Sequence, residues 1–437
     1  MSAAQIAKRY LFAIATTYMC YLTHGVQAII LSQNKVNFYT QWGYTDATAG
    51  AAAVSMAIVW VGIGKFVSVW VGGELSDRIG RKIPAVVGGV LYIICFVMML
   101  YSQDVTMACV AAFLSGVATS GFWDAGLYPA VQEATPKYAS SAVIGIKFVI
   151  SVAGIVYPLF AASNVVTEVG DAWQINIWVA IVMSVIATVM AIFTPFLYDD
   201  QRKQSSDTGS DAKNKAEEEI QAAKDAMLSK PNAMVQFCTL FYGFVCMFIM
   251  YGAQQYTKAF GITNLGLDPM AAAGMTSIYT AGSLIAVLFW AVMMGKLRWN
   301  PVRVILIDSI FTTVALAVVL IALPLNLGAG VVYVAIAMLG FFAAGGALQT
   351  GLMIRQQFCP GPKGRNVGMY YTFMGAASVF LPSVVAFMTT SIGEASAVWT
   401  MMVLLLIGGV IATCMMLYLV SQSQKLFGYN VLKEKVK

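Results

Sequence analysis

The stretch Gly73-Glu74-Leu75-Ser76-Asp77-Arg78-Ile79-Gly80-Arg81-Lys82 (residues 73–82) stands between two apolar stretches, residues 48–71 and 84–101. Half of its side chains are charged, whereas the flanking stretches are almost wholly apolar. Each flank is close to the roughly 20 apolar residues that an α-helix needs to cross the hydrocarbon core of a bilayer. The pattern predicts two membrane-spanning helices joined by a short charged loop.

Twelve apolar stretches of this kind run through the chain. Of its 437 residues, 59% are hydrophobic and 11% are charged, whereas soluble domains carry about 25% charged residues. A soluble protein of this length could not bury so much apolar surface in one core, so the composition predicts an all-α membrane protein. We number the predicted spans 1–12 in chain order: residues 10–31, 48–71, 84–101, 106–130, 141–161, 174–196, 234–255, 270–294, 304–323, 330–354, 366–387 and 396–420.

The basic residues predict the orientation of the spans. With the N-terminus inside and twelve spans alternating, 22 of the 26 lysines and arginines fall on the inside, as the positive-inside rule expects. Only Lys35 and Lys258 fall outside, while Lys65 and Lys147 lie within spans. We therefore expect a multi-pass protein with both termini in the cytoplasm. This topology accounts for the net charge of +6 without a nucleic-acid partner.

The chain also divides into two similar halves. The polar residues 199–232 separate six predicted spans from six, and the spacing Gly73…Arg81 recurs 222 residues later as Gly295…Arg303. A parallel repeat of six-helix units predicts a transporter whose substrate lies between the halves. The predicted domains are two pseudo-symmetric six-helix bundles (1–198 and 233–421), a cytoplasmic linker with a short surface helix near 211–229 (199–232) and a cytoplasmic tail (422–437).

The loop at residues 73–82 fits the pattern G-x-L-[AGS]-D-[RK]-x-G-R-[RK] at every defining position. It thereby resembles the loop signature of the major facilitator superfamily, which implies that family's fold and transport by alternating access. We expect the glycines to allow close helix approach (Gly73) and a tight turn (Gly80), and Asp77 to accept hydrogen bonds from a helix N-terminus and from Arg81. The resemblance implies a conformational latch without substrate contact, formed by Gly73, Asp77, Arg78, Gly80, Arg81 and Lys82.

Three longer blocks, residues 24–34, 128–148 and 343–351, resemble the YdiN-like permeases of bacteria. That group is associated by gene neighbourhood with shikimate and quinate metabolism, so the resemblance implies the cell inner membrane and a hydroxylated cyclic carboxylate as substrate. The arginine in span 4 that is common in proton-coupled members of the superfamily is absent, and span 4 contains Asp124. The Gly-Pro pattern of antiporters in span 5 is not met either.

Three ionisable residues lie deep in the predicted spans of the first half. At a rise of 1.5 Å per residue, Lys65 lies about 12 Å, Asp124 about 13 Å and Lys147 at most about 15 Å from the inner ends of their spans. Charged groups inside a membrane are usually paired or functional. Two interpretations stay open: a structural network that fastens spans 2, 4 and 5, or one lysine paired with Asp124 as a proton-linked switch while the other lysine forms an anion site.

His24, the only histidine, lies in span 1, and an unperturbed histidine side chain titrates near neutral pH. It is either a packing residue or a group for substrate and proton. In the superfamily that the chain resembles, spans 1, 4, 7 and 10 line a central cavity, where flat rings and amides suit a small cyclic solute. Each such residue is alternatively structural, and Arg355 is expected to extend to the membrane interface. Besides His24 and Asp124 for proton coupling, the candidates for the substrate site are His24, Lys65, Lys147, Trp123, Gln254, Gln255, Gln349, Tyr370 and Tyr371, with Tyr21, Gln27 and Tyr251 nearby.

We therefore expect a secondary active transporter that takes up a small organic anion, such as a hydroxylated cyclic carboxylate, together with protons. The alternatives are a proton-coupled efflux antiporter for drugs or metabolites and, from another class, a non-transporting membrane receptor or scaffold. No P-loop, zinc-ligand spacing or hydrolase motif occurs in the sequence, so we expect no enzyme activity, metal or cofactor. The expected partners are the substrate, protons and the lipid bilayer, and we expect a monomer.

Overall fold

The computed structural model describes residues 3–134, 139–164, 170–204, 221, 224–225, 227–322, 324–325, 327–361 and 363–433. These residues contain no β-strand, and a helix lies at each predicted span. Most of the predicted surface helix near 211–229 lies outside the described residues. In the order of spans 1–12, the helices are Ala3–Gln27, Ala47–Ile79, Lys82–Leu100, Val105–Ala134, Ala139–Ser163, Ile175–Phe193, Ala233–Thr263, Pro269–Gly295, Pro301–Ala322, Ala329–Phe358, Lys363–Ile392 and Glu394–Phe427.

Eleven helices in the described part of the chain are long and apolar enough to cross a membrane. The helix Ala3–Gln27 is not among them, although its 25 residues and its position fit span 1, because Thr16, Thr17, His24 and Gln27 make it more polar. Large apolar side chains elsewhere face away from the protein, such as Phe193 at 76% exposure. Such a surface is stable in lipid rather than in water. The prediction of an all-α membrane protein is confirmed.

The chain folds into two compact units. The first comprises residues 1–206, 255–277 and 378–398, and the second comprises residues 207–254, 278–377 and 399–437. Within the first unit, span 2 packs against span 4, span 3 against span 6, and span 1 against spans 5 and 6. Within the second unit, span 9 packs against span 10. The predicted domains, in contrast, are continuous segments of the chain with boundaries at residues 198, 232 and 421. These boundaries stay a prediction.

Spans 4 and 10 share an unusual shape, because a π-helical segment interrupts each of them: Val117–Asp124 in span 4 and Gly340–Ala344 in span 10. Segments of this kind are rare and occur frequently at functional sites. A glycine precedes or begins each one. A Cβ atom at Gly116 would clash with the main-chain carbonyl of span 2, and a Cβ atom at Gly340 would clash with that of span 8. The same backbone-to-backbone approach therefore occurs in both halves.

Span 1 ends earlier than predicted. The apolar pattern predicts a helix as far as residue 31, but the helix ends at Gln27, and two short helices follow, Ile30–Gln33 and Lys35–Gln41. The continuous helix is therefore wrong at this end. At the break, the carbonyl group of Ala28 accepts a hydrogen bond of 2.6 Å from Nε2 of Gln255. A polar side chain of span 7 thus satisfies a carbonyl in the turn where span 1 is interrupted.

Candidate functional site

Asp124 is the central member of the predicted buried charges. It is the last residue of the π-helical segment of span 4, and its carboxylate accepts hydrogen bonds from Tyr21 Oη (2.9 Å) and Ser120 Oγ (3.1 Å). The carboxylate also interacts electrostatically with the ammonium group of Lys65. Lys65 comes close because Gly116 allows span 4 to lie directly against span 2. The structure therefore brings Lys65 and Asp124 together.

His24 and Lys147 belong to the same region of the first unit. The His24 ring lies within electrostatic range of both Lys65 and Lys147. All three residues and Asp124 are only partly buried, so none of them is sealed inside the packed core. We call His24, Lys65, Asp124 and Lys147 the central cluster. With two ammonium groups and one carboxylate, the cluster is positive while its histidine is neutral.

A ring of polar contacts holds His24 against spans 3 and 4. Its Nδ1 lies 3.0 Å from Tyr92 Oη, which lies 2.6 Å from Thr119 Oγ1. Thr119 donates to the carbonyl of Ser115 (2.8 Å), and the Ser115 hydroxyl accepts a hydrogen bond from Gln27 Nε2 (3.0 Å). Gln27 in turn interacts with His24. The histidine is therefore oriented by groups that can both donate and accept hydrogen bonds.

Trp123 packs against span 3 and does not face open space. Its exposure is 0%, its indole stacks on Tyr92 with ring centres 4.3 Å apart, and its Nε1 donates to the Ala85 carbonyl at 3.0 Å. The ring also lies directly over Gly88. In this conformation a solute cannot reach Trp123, which corrects its expected place in the substrate site. It instead positions the tyrosine that contacts the histidine.

The candidates from the second half fall into two groups. Gln255 belongs to the first unit, where its amide is buried and bonded to the turn after span 1. Tyr370 is fully buried against glycines of spans 7 and 10 within the second unit. Packing therefore accounts for both of these residues. Surface remains on the other candidates, which stay predictions within the second unit: Gln254, Gln349 and Tyr371.

Arg81, from the predicted latch, forms a buried ionic junction. It is 5% exposed, its Nη2 lies 2.8 Å from Glu133 Oε1, and its Nη1 donates to Ser76 Oγ at 2.7 Å. Its guanidinium carbon lies 4.3 Å from the ring centre of Tyr198. Glu133 ends span 4 and Tyr198 follows span 6. One arginine therefore joins the loop between spans 2 and 3 to two further spans.

Asp199 caps the helix of span 3. Its carboxylate accepts hydrogen bonds from the backbone N–H groups of Arg81 (2.8 Å) and Lys82 (2.9 Å), at a helix N-terminus where an anion is favourable. Gly80 makes the expected tight turn with φ of +94°, which glycine adopts readily. Asp199 thus accepts the hydrogen bonds from a helix N-terminus that were expected for Asp77. The side chain of Asp77 lies outside the part that the structure describes.

One further expectation for the latch, the close helix approach at Gly73, differs from the structure. A Cβ atom at Gly73 would meet no heavy atom of the described residues within 4 Å, whereas one at Gly72 would clash with the carbonyl of Gly121 in span 4. The close approach therefore lies one residue earlier than expected. Arg78 pairs with Glu74 one turn before it, and both side chains are about 70% exposed (74% and 68%). Such a surface pair contributes little stability.

Two charged residues of the second unit are buried against expectation. Arg355 does not extend to the interface; it is 5% exposed and donates to Asn366 Oδ1 (3.2 Å) and Thr239 Oγ1 (3.1 Å). These oxygens accept the hydrogen bonds of the guanidinium group inside the protein, so the group does not need water or lipid headgroups at the membrane interface. Asp308, in the strongly apolar span 9, is 2% exposed. Asp308 is not among the buried charges predicted from the sequence, although its place inside an apolar stretch is the signal that identifies it.

The two lysines predicted to lie outside meet at one cavity in the first unit. Its volume is about 60 Å³, and its lining includes Lys35, Lys258 and Glu394. Lys35 forms an ion pair with Glu394, and Lys258 donates to the carbonyl of Gln33 at 2.6 Å. These contacts join spans 7 and 12 to the chain that follows span 1. We call Lys35, Lys258 and Glu394 the outer cluster.

The family model described as Major Facilitator Superfamily matches residues 11–363 of this chain. The chain therefore belongs to the major facilitator superfamily, whose members are membrane transporters and not enzymes. Inner membrane transport protein YdiM of Escherichia coli K12 is 28% identical over 419 residues, which cover 96% of each chain. Inner membrane transport protein YdiN of the same strain is 24% identical over 382 residues, or 87% of this chain and 84% of its own. The resemblance to YdiN-like permeases is confirmed.

Solved structures share the fold. The crystal structure of a D-xylose-proton symporter superposes with a TM-score of 0.70 and 15% identity, covering 98% of this chain and all of its own. A partially occluded, inward-open conformation of the E. coli xylose transporter XylE also gives a TM-score of 0.70, with 14% identity over 94% and 98% of the two chains. At this level of identity the similarity concerns the fold alone.

Glu133→Ala is expected to destabilise the protein much more than Glu74→Ala. The first change breaks the ion pair between Glu133 and the buried guanidinium of Arg81, and breaking a buried ion pair costs about 3 kcal/mol or more. The second removes an exposed pair of little value. Thermal unfolding of both variants in detergent checks this difference. Equal unfolding midpoints for the two variants would contradict the role given to the Arg81 junction.

Lys35→Glu is expected to loosen the outer cluster, because it places two carboxylates side by side. The double exchange Lys35→Glu with Glu394→Lys restores opposite charges. The measurement is the rate at which a water-soluble maleimide labels Ser55→Cys, in the wall of the cavity, after the native cysteines are replaced by serine. The single exchange should raise the rate and the double exchange should return it to the parent value. A double variant that is labelled as fast as the single one contradicts the pairing.

Proposed function

We propose that this protein is a secondary active transporter that couples protons to the uptake of a small organic anion. The observation that supports this proposal is the central cluster, in which the carboxylate of Asp124 interacts with Lys65, and His24 lies within electrostatic range of both Lys65 and Lys147. A site for an anion needs an excess of positive charge. A coupling site needs a group whose protonation changes what the neighbouring cation binds. The cluster meets both requirements with partly buried side chains.

The pair of Lys65 and Asp124 provides the switch in this proposal. While Asp124 is ionised, it engages the Lys65 ammonium group. A proton on Asp124 removes its negative charge, so Lys65 is free to bind the carboxylate of the substrate. Tyr21 and Ser120 hold the aspartate in both states, because a hydroxyl group can donate or accept a hydrogen bond. The proton and the anion therefore bind together, and the affinity for the anion rises as the pH falls.

A hydroxylated cyclic carboxylate is the substrate class that we favour. The partly exposed His24, held in place by its contact with Tyr92, supplies a hydrogen-bonding group beside the lysines, which suits a solute with hydroxyl groups. The resemblance to YdiN-like permeases, associated with shikimate and quinate metabolism, supports the same class. The name of the D-xylose-proton symporter supports proton coupling by analogy of fold alone.

Transport by alternating access requires the outer cluster and the Arg81 junction to break and re-form during the cycle. We propose that the protein lies in the cell inner membrane as a monomer, with both termini in the cytoplasm. The outer cluster then faces the outside and the Arg81 junction faces the cytoplasm. Each is built around an ion pair that can open without unfolding a helix.

Asp124→Asn is expected to uncouple transport from protons. Asparagine cannot be ionised, so Lys65 stays free and the site binds the anion without a proton. In proteoliposomes the variant should keep the counterflow of radiolabelled shikimate but lose its accumulation against a gradient when the outside is acidified. Asp46→Asn is the matched control, because the exposed Asp46 caps the helix of span 2 and asparagine caps equally well. This control should keep both activities.

Full proton-driven accumulation by Asp124→Asn would contradict the switch. Export driven by an acid outside would identify an antiporter instead. Folded protein without counterflow of any organic acid, sugar or cationic drug would identify a receptor or scaffold.

A further inference from the structure

A second carboxyl group lies inside the membrane region, in the second unit. Asp308 belongs to the helix of span 9, seven residues after Pro301 and so about 10 Å along the helix from its start. Its exposure is 2%. The neighbouring positions in span 9 are almost all apolar. Neither the central cluster nor the Arg81 junction accounts for a carboxyl group at this place.

Among the residues that the structure describes, neither carboxyl oxygen of Asp308 has a hydrogen-bond partner. Trp290 of span 8 is near enough to interact with Asp308 electrostatically. Its Nε1, however, does not meet the carboxyl group at hydrogen-bond geometry and has no other partner in the described part of the chain. This environment differs from that of Asp124, which has a lysine and two hydroxyl groups.

A cavity of about 20 Å³ adjoins the carboxyl group. This volume holds about one water molecule. Asp308, Ser309 and Thr312 of span 9 line it together with Tyr242 and Cys246 of span 7, while spans 10 and 12 contribute only apolar side chains. The described lining contains no lysine, arginine or histidine. Tyr242 and Cys246 are thus the titratable groups that face Asp308, and neither offers it a positive charge.

Among the described residues, an ionised carboxylate in this place has no cation in the cavity lining and no donor at hydrogen-bond geometry to stabilise it. Burying an unpaired charge costs so much free energy that the group is neutralised instead. We infer that Asp308 is a proton-binding site of the second unit, which holds its proton in this conformation and exchanges it with water through the adjoining cavity. On release, the O–H bond of the carboxyl group breaks and the proton passes to water, leaving the carboxylate.

This inference does not depend on the identity of the substrate or on coupling through Asp124. The two carboxyl groups are complementary in kind. Asp124 is partly exposed and balanced by a lysine, so it can hold its charge, whereas Asp308 is sealed and unbalanced, so it holds a proton until its surroundings change. The adjoining cavity has room for the water molecule that takes up the proton from Asp308.

Infrared spectroscopy of the purified protein in lipid tests the inference, because a protonated carboxyl group has its own C=O stretching band. At neutral pH the wild type should show such a band, and the band should shift in heavy water. Asp308→Asn should remove it, whereas Asp46→Asn, at an exposed carboxylate, should leave it unchanged. Because asparagine has the shape of the neutral acid, Asp308→Asn should also keep the wild-type unfolding midpoint.

The infrared band is the deciding readout. An unchanged band in Asp308→Asn, or wild-type protein without such a band at neutral pH, would overturn the inference. Failure of proton-driven uptake alone would contradict the switch at Asp124 and would leave the infrared readout as expected.

Discussion

An ionised group in the hydrocarbon region of a membrane must be paired, hydrated or neutralised, and three ionisable residues of the described chain differ in how this requirement is met. Asp124 has a lysine and two hydroxyl groups around it. Arg81, at the end of the span, has the carboxylate of Glu133. Asp308 has no such partner among the described residues. The three environments differ in kind, and we assign them three roles: coupling, latching and proton storage.

Close contact between backbones places the central charges. Gly116 allows span 4 to lie against span 2, and the π-helical segment that follows it ends at Asp124. The second half repeats the same approach at Gly340 with its own π-helical segment. The two halves therefore repeat the shape of the backbone but not the position of the carboxyl group. Asp124 lies on span 4, whereas Asp308 lies on span 9 and not on span 10, which corresponds to span 4. A duplicated scaffold has thus acquired different charges in its two halves.

Apolar length and the loop signature were sufficient to predict the helices and the family, because these features depend on local composition. The sequence could not show which way a side chain faces. Trp123 and Asp124 are neighbours, yet the indole packs on span 3 while the carboxylate meets spans 1 and 2. Nor could it show the partners of Arg81, since Glu133 lies 52 residues and Asp199 lies 118 residues away along the chain. The depth of a residue in the membrane can be predicted by counting residues along its helix. The partner of its side chain depends on how the helices pack and cannot be predicted in this way.

The central claim is that Lys65 and Asp124 form one electrostatic unit that a proton opens for an anion. Isothermal titration calorimetry of shikimate binding, in buffers with different enthalpies of ionisation, measures the protons that enter with the ligand. The account predicts uptake of about one proton per bound anion in the wild type and of none in Asp124→Asn. The same proton uptake in both proteins would show that the coupling group lies elsewhere.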